Sequence, residues 1–430
     1  LLAWVGVSQA ATRYIDAQPG SNCSGTSYSI ANRACNGSDG PSYTTISAAY
    51  TASSAGDTLR FRTGTYANNS GQLPKDNQIW EGCRAAVCGS DERPTITSTG
   101  GNIFGWTCST PGDGPDGWTL RHLDGTGGTG SGILIRGANN WTIDDLDISG
   151  YNTAGGEEDY VHGIATDGYF WDGSDNNHYC PPTGWTITNS RVHDPSCTTC
   201  ITSGIAIGDA TGGTVSYNEV YNTYGDGIWF DVAPNPWTGE TPNEVTGNIV
   251  HDVIHYAFHA EARHRWHLTG NLAYNCGTSG SFDAGIFVRV GNASDNMQNH
   301  RYYNNTIMCA GAAFQATNEN GNETFTDAVF KNNIFINTST AAQGAFKLAS
   351  PYGSASDNYF QYNLIRNLAG TIGVCWNTTD GGAGTDCSNG TTYADSSAGM
   401  SSWASVAPTR IGSNFTTYGI GLQYAWMDRP

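Results

Sequence analysis

The chain has 430 residues, with 38% hydrophobic and 11% aromatic content, enough for a sizeable core, but only 13% charged residues. Its formal net charge of −19 argues against nucleic acid and anionic membranes as partners, since both reward clustered Lys and Arg. Gly, Asn, Ser and Thr dominate, which suits short strands joined by tight turns, and no run reaches the ~20 apolar residues of a membrane helix.

In chain order, the opening LLAWVGVSQAA (Leu1–Ala11) reads as a leader or the remnant of a secretory signal, an apolar run ending in small residues. It is also a segment through which copies of the chain would self-associate. Twelve cysteines point to an oxidising, extracellular setting, with local pairs expected at Cys23/Cys35, Cys83/Cys88 and Cys375/Cys387. Cys197 and Cys200 form one C-x-x-C with no second copy, which favours a structural disulfide over zinc or redox chemistry. Eleven N-x-S/T sequons, Asn36, Asn140, Asn292 and Asn414 among them, fit a secreted glycoprotein.

The stretch YIDAQPGSNCSG followed by YTTISAAYTASSAGDTLRFRTGTY (residues 14–66) resembles the first coil of secreted parallel β-helix proteins of the pectate-lyase-like superfamily. The resemblance implies a capping coil at residues 14–66 and one solenoid over 12–430. It leaves the reaction open, because that superfamily includes lyases, hydrolases, esterases, epimerases and fibres. Residues 100–132, rich in Gly with Trp106 and Trp118, read as a long loop.

Residues 141–365 carry a repeat. Its anchors are Ile143, Ile187, Val215, Val245, Leu268, Tyr302, Phe330 and Phe360, and three residues after each of the last six comes Asn218, Asn248, Asn271, Asn305, Asn333 or Asn363. Unequal spacing with fixed internal phase predicts a solenoid whose loops vary while its strands stack, with asparagines hydrogen-bonding in a column at a bend. A propeller needs a longer period and a left-handed hexapeptide helix a shorter one, which leaves an all-β, single-domain right-handed parallel β-helix with long loops and local disulfides. The stretch EEDYVHGIATDGYFWDGSDNNHYCPP (157–182) reads as an insertion, and residues 370–430 as a C-terminal cap.

After each bend comes a second strand: HGIATD, SGIAIGD, DGIWFDV, YAFHAEA, AGIFVRV, AAFQAT and GAFKLAS. Alternation sends Ile228, Phe230, Phe258, Ala260, Ile286 and Val288 inward. Two columns face outward: Trp229, His259, Phe287, Gln315 and Lys347 in one, and Asp167, Gly208, Asp231, Glu261, Arg289 and Thr317 in the other. Coils about 4.8 Å apart put the carboxyl groups of Asp231 and Glu261 on the order of 5 Å apart, the separation of a retaining glycosidase. Two like charges that close are expected to raise one carboxyl pKa.

The candidate catalytic residues are therefore Asp231, Glu261, Arg289 and His259. Trp229, Phe287, Asp167, Gln315 and Lys347 are candidate substrate contacts, with the sugar stacking on the aromatic rings. The stretch HYAFHAEARHRWH (255–267) lacks the H-E-x-x-H pattern, and a zinc or copper site from His251, His255 and His259 is the weaker reading. The remaining histidines are expected at turns, His264 and His267 around the next bend and His251 directly under His193. The chain shows only partial echoes of polygalacturonase motifs (DD at 144–145, HGI at 162–164).

These residues point first to a secreted glycoside hydrolase acting on a neutral or weakly charged polysaccharide, with no required cofactor. A polysaccharide lyase is the first rival, with Asp231 and Glu261 as Ca²⁺ ligands and Arg289 as base. A structural or adhesive β-helix assembling into an oligomer or filament is the second.

Overall fold

The computed structural model describes residues 10–378 and 391–394, apart from 109–113, 156–160, 168, 172–176, 209, 211, 232–240, 262–264, 279–283, 291–295, 319–323, 339–344, 350–358, 362 and 369–371. The strands stack in three parallel faces around one core. On the first face Thr12, Thr58, Ile79, Thr119, Thr142 and Thr186 lie in successive register, so the stacking begins well before residue 141. All eight anchors then follow in unbroken register, from Ile143 on Ile187 to Phe330 on Phe360. The second face runs through strands such as Arg191–His193, Glu219–Tyr221, Ile249–Val253 and Leu272–Cys276. The third face is built by the strands Phe104–Trp106, Ile133–Ile135, Ile164–Asp167, Ile205–Gly208, Ile228–Phe230, Phe258–Glu261, Ala284–Val290, Ala312–Asn318, Phe346–Ala349 and Ile372–Thr378.

The bend between the first and second faces explains the asparagines. Among the described residues, the one before each sits in the left-handed region: Gly247, Gly270, Asn304 and Asn332, of the types least strained there, have φ of 66°, 65°, 57° and 58°, and Tyr217 has 56°. The buried asparagine that follows closes the bend. Asn248 donates through its backbone N–H and Nδ2 to Oδ1 of Asn271 (2.9 and 3.0 Å), and Nδ2 also reaches the Val215 carbonyl (2.9 Å). The pattern repeats from Asn218 to Asn363, so each polar group removed from water is satisfied by the next coil.

Residues 100–132 are not a loop. They contribute the strands Phe104–Trp106 and Thr119–Gly127. Trp118 is fully buried and stacks on Trp141 (ring centroids 5.4 Å apart), which stacks on Trp185 (5.7 Å). Aromatic rings aligned by parallel register form a continuous column, and this is where several of the tryptophans go. The 157–182 stretch is only partly an insertion: it carries the third-face strand Ile164–Asp167 and a short antiparallel hairpin, Tyr169–Trp171 with Asn177–Tyr179.

In the 14–66 coil, a short helix, Ile46–Ala52, starts at Thr45, whose hydroxyl accepts from the Ala48 N–H, and it adds Ile46 and Ala49 to the core. Disulfides join Cys23–Cys35, Cys83–Cys88 and Cys197–Cys200, and two further pairs the spacing did not suggest, Cys108–Cys180 and Cys276–Cys309. The Cys375/Cys387 pair, residues 1–9 of the leader, His264 and most of the 370–430 segment lie outside the described residues. No helix among the described residues is long and apolar enough to cross a membrane.

Candidate functional site on the third face

The outward columns form in the register the alternation predicts. Trp229 pairs with His259, His259 with Phe287, Phe287 with Gln315, and Gln315 with Lys347. Glu261 pairs with Arg289 and Arg289 with Thr317. Asp231 stands one residue beyond the Phe230–Ala260 pair, at the register position of Glu261, and its N–H still donates to the Ile207 carbonyl (2.9 Å). The strand of Asp167 pairs with that of Gly208, two coils away from Glu261; its side chain lies outside the described residues.

These side chains point away from the core, yet they are not solvated. His259, Phe287, Gln315, Lys347 and Glu261 are all buried, while Trp229, Asp231 and Arg289 are half-buried. Above the strand, Tyr256 stacks on Phe287 (centroids 4.2 Å, 7°) and meets the His259 ring edge-on (4.8 Å). Trp229 stacks on the other side of His259 (5.9 Å, 17°). The imidazole is therefore boxed by three aromatic rings. The indole Nε1 of Trp229 and Nε2 of His259 are both buried without a hydrogen-bond acceptor among the described residues.

Charges alternate across three coils. Asp226, also buried, places Oδ2 2.7 Å from Nδ1 of His259. Nε2 of the same ring lies 3.2 Å from Oε1 of Glu261, an ion-pair contact too poorly angled for a hydrogen bond. Arg289 donates to that same Oε1 at 2.9 Å. Burial opposes a charge on His259, but Asp226 and then Glu261 outweigh it and hold the ring's pKa up at about 9. Burial likewise opposes ionisation of Glu261, but His259 and then Arg289 pull its pKa down to about 2. The expected like-charge effect on Glu261 is thus reversed: two cations are closer to it than any mutual carboxylate repulsion can offset. Both lie closest to Oε1, and Oε2 accepts no hydrogen bond from the described residues.

Asp226 and Tyr256 were not among the sequence candidates. They open DGIWFDV and YAFHAEA, two residues before the strand alternation begins at Ile228 and Phe258, so nothing in the pattern said where they point. Gly227 makes the approach possible: a Cβ there would lie 2.3 Å from Val250 Cγ1 and 2.7 Å from the Ala257 carbonyl.

The other histidines are elsewhere. His251 is on the second face and does not stack on His193, because Tyr221 lies between them (4.6 and 5.1 Å), followed by Tyr274 at 4.8 Å from His251. His267 is in a first-face strand rather than at a bend, with Nδ1 2.8 Å from Glu244. His255 lies in the turn before the third-face strand, its ring 6.2 Å from that of Tyr256. No group of three or more His, Cys, Asp or Glu among the described residues is arranged to hold a metal ion. A Ca²⁺ ion at Glu261 Oε1 would have to displace both Arg289 and His259.

Residues 103–293 match the family model described as the right handed beta helix region. The described residues fold as a right-handed parallel β-helix. The matched part of the β-helix contains Asp226, His259, Glu261 and Arg289. No curated protein matches the chain in sequence. Among solved structures, the β-helix is similar to the A-module of the Azotobacter vinelandii mannuronan C-5 epimerase AlgE6 (14% identity, 76% of this chain and 82% of that one, TM-score 0.49). It is also similar to the pectate lyase Pel9A (15% identity, 88% and 82%, TM-score 0.44) and to an alginate lyase from Paenibacillus sp. str. FPU-7 (15% identity, 85% and 97%, TM-score 0.45).

Proposed function

We propose that the third face is the catalytic groove of a secreted enzyme that hydrolyses a polysaccharide through Glu261 and Asp231. One observation carries the reading: Glu261 is a buried carboxylate held ionised by two cations on one oxygen, with the other oxygen uncommitted. A side chain kept charged at such expense of hydration is a candidate for chemistry rather than for solubility. In a retaining mechanism Oε2 of Glu261 attacks the anomeric carbon while the second carboxyl group, Asp231 on the preceding coil, protonates the departing oxygen. Water then cleaves the glycosyl ester as Asp231 takes back a proton. Coil spacing of about 4.8 Å suits that separation. Trp229, half-buried and with no acceptor for its indole N–H among the described residues, borders the sugar site, whereas Phe287, Gln315 and Lys347 are buried and take no direct sugar contact. Five disulfides support an oxidising, extracellular workplace.

A second reading, β-elimination from an acidic glycan, is favoured by the half-exposed Arg289, a cation at the groove rim in an otherwise acidic chain. A polysaccharide panel read for both reducing ends and ultraviolet absorbance of unsaturated product separates the two. Hydrolysis predicts reducing ends without absorbance, insensitive to EDTA, lost in both Asp231→Asn and Glu261→Gln at unchanged melting temperature. Full activity in both variants would sink the assignment, and unsaturated product would transfer it to the lyase.

A further inference from the structure

We infer that Asp226 is the positioning residue of this site: through His259 it keeps Glu261 clamped on one oxygen with the other bare. The inference rests on the reading of Glu261 as the reactive carboxylate, and it assigns a role to a residue that touches no substrate.

The contacts form a chain of alternating sign. Asp226 belongs to the coil before His259, Glu261 shares the strand with His259, and Arg289 belongs to the coil after. Asp226 is itself fixed, since its Oδ1 accepts from the Tyr256 backbone N–H (3.2 Å) while Oδ2 faces Nδ1 of His259 (2.7 Å). A carboxylate at Nδ1 requires a proton there. A neutral ring would leave an uncharged Nε2 3.2 Å from Oε1 of Glu261 and forfeit the ion pair in a largely buried site. Only the doubly protonated ring satisfies both carboxylates.

The groups facing His259 are consistent with that state. From its own strand comes Glu261, from the preceding coil Asp226 and the Trp229 ring, from the following coil Phe287 and, beyond Glu261, Arg289, and from the bend Tyr256. Two anions contact the ring directly and Arg289 reaches it only through Glu261. Removing the Asp226 charge therefore leaves the ring one carboxylate, and weakens its hold on Glu261 in turn.

The test uses the full-length protein and two readouts. In Asp226→Asn, the amide oxygen can still accept from Tyr256, so the bend is kept while the charge is lost. Ring-nitrogen NMR should show the His259 midpoint lowered by about one pH unit or more, as expected for loss of an adjacent opposite charge. Because His259 keeps its charge at acid pH in this variant, the acidic limb of kcat/KM, where Glu261 must be ionised, should stay in place while kcat falls with KM little changed, and Asp226→Glu should restore both the midpoint and kcat. His259→Gln, which removes the cation itself, is the second variant and should move the acidic limb upward. An unmoved His259 midpoint in Asp226→Asn overturns the inference, as does an acidic limb left in place by His259→Gln. Should the wild type cleave no polysaccharide, the catalytic reading of Glu261 falls, and the His259 titration alone still upholds or overturns the hold of Asp226 on the ring.

Discussion

Glu81 and Glu261 are each held by two cations, from the coils on either side at Glu81 and from its own strand and the next coil at Glu261, and the cations take hold differently. Glu81, on the first face, gives Oε1 to Arg60 (2.9 and 2.6 Å) and Oε2 to Arg121 (2.8 and 2.5 Å), each guanidinium binding through two nitrogens. Glu261, on the third face, gives only Oε1, to Arg289 and His259. Burial works against ionisation of both, and cationic neighbours pull both pKa values below the usual carboxylate range. The saturated carboxylate joins three coils and has nothing left to offer. The half-saturated one keeps an oxygen that accepts no hydrogen bond from the described residues, beside a stack of aromatic rings. Counting committed oxygens separates these two carboxylates more sharply than charge or burial does.

The largest effect that can break this comparison is on turnover. Glu261→Gln should lower kcat by about 10³-fold or more, with the thermal midpoint little moved. A variant that instead melts early would make Glu261 a second Glu81. Next comes the uncharged counterpart of the Glu81 clamp, the asparagine column. Asn271→Ala orphans the Asn248 N–H and one of its two Nδ2 hydrogens, and urea denaturation should show a loss of about 2–4 kcal/mol with the C-terminal coils affected most. Glu81→Gln should cost about 2 kcal/mol and leave kcat alone. That is less than a fully buried pair would lose, because the Arg121 side chain is 41% exposed.

The smallest effect is on pH dependence. His259 is raised to about 9 from an unfolded value of about 6.5, so its contribution to stability is complete below about 6.5 and is lost as pH rises through 9. Glu261 behaves oppositely: its contribution is complete above about 4.3 and lost as pH falls towards 2. The melting temperature of His259→Gln should therefore fall less steeply than wild type between pH 6.5 and 9. Parallel curves would mean the ring is not charged in the folded protein.

Much of this architecture is legible in the sequence, because parallel stacking converts a phase into a contact. Anchor residues 23 to 44 apart pair as the phase requires, and His259, Phe287, Gln315 and Lys347 line up for the same reason. The early coils are harder to see. At the bend they carry Leu123, Leu146 and Ser190 where later coils carry asparagine, so the marker is missing although the register is not. Asp226 is hidden for a different reason. It is in a bend, where side-chain direction follows φ and ψ rather than alternation, and its partner is 33 residues away. The burial of the outward column is hidden too, since alternation tells which way a side chain points and not what the turns place over it. Both misses fall on bends, and bends are where this site is assembled.

The asparagine column has a direction. Each residue donates to the next one along the chain and accepts from the one before, starting with the Ser190 N–H on Asn218 and running to Asn363. Every joint is the same, whatever length of chain intervenes. The column therefore works as a standard coupling: a whole coil can be added, removed or exchanged between two asparagines without redesigning its neighbours. Loops of very different length can be hung from one rail. What such a trade cannot preserve is the groove, because its four charged residues come from three consecutive coils, and losing any one of those separates acid, cation and carboxylate at a stroke.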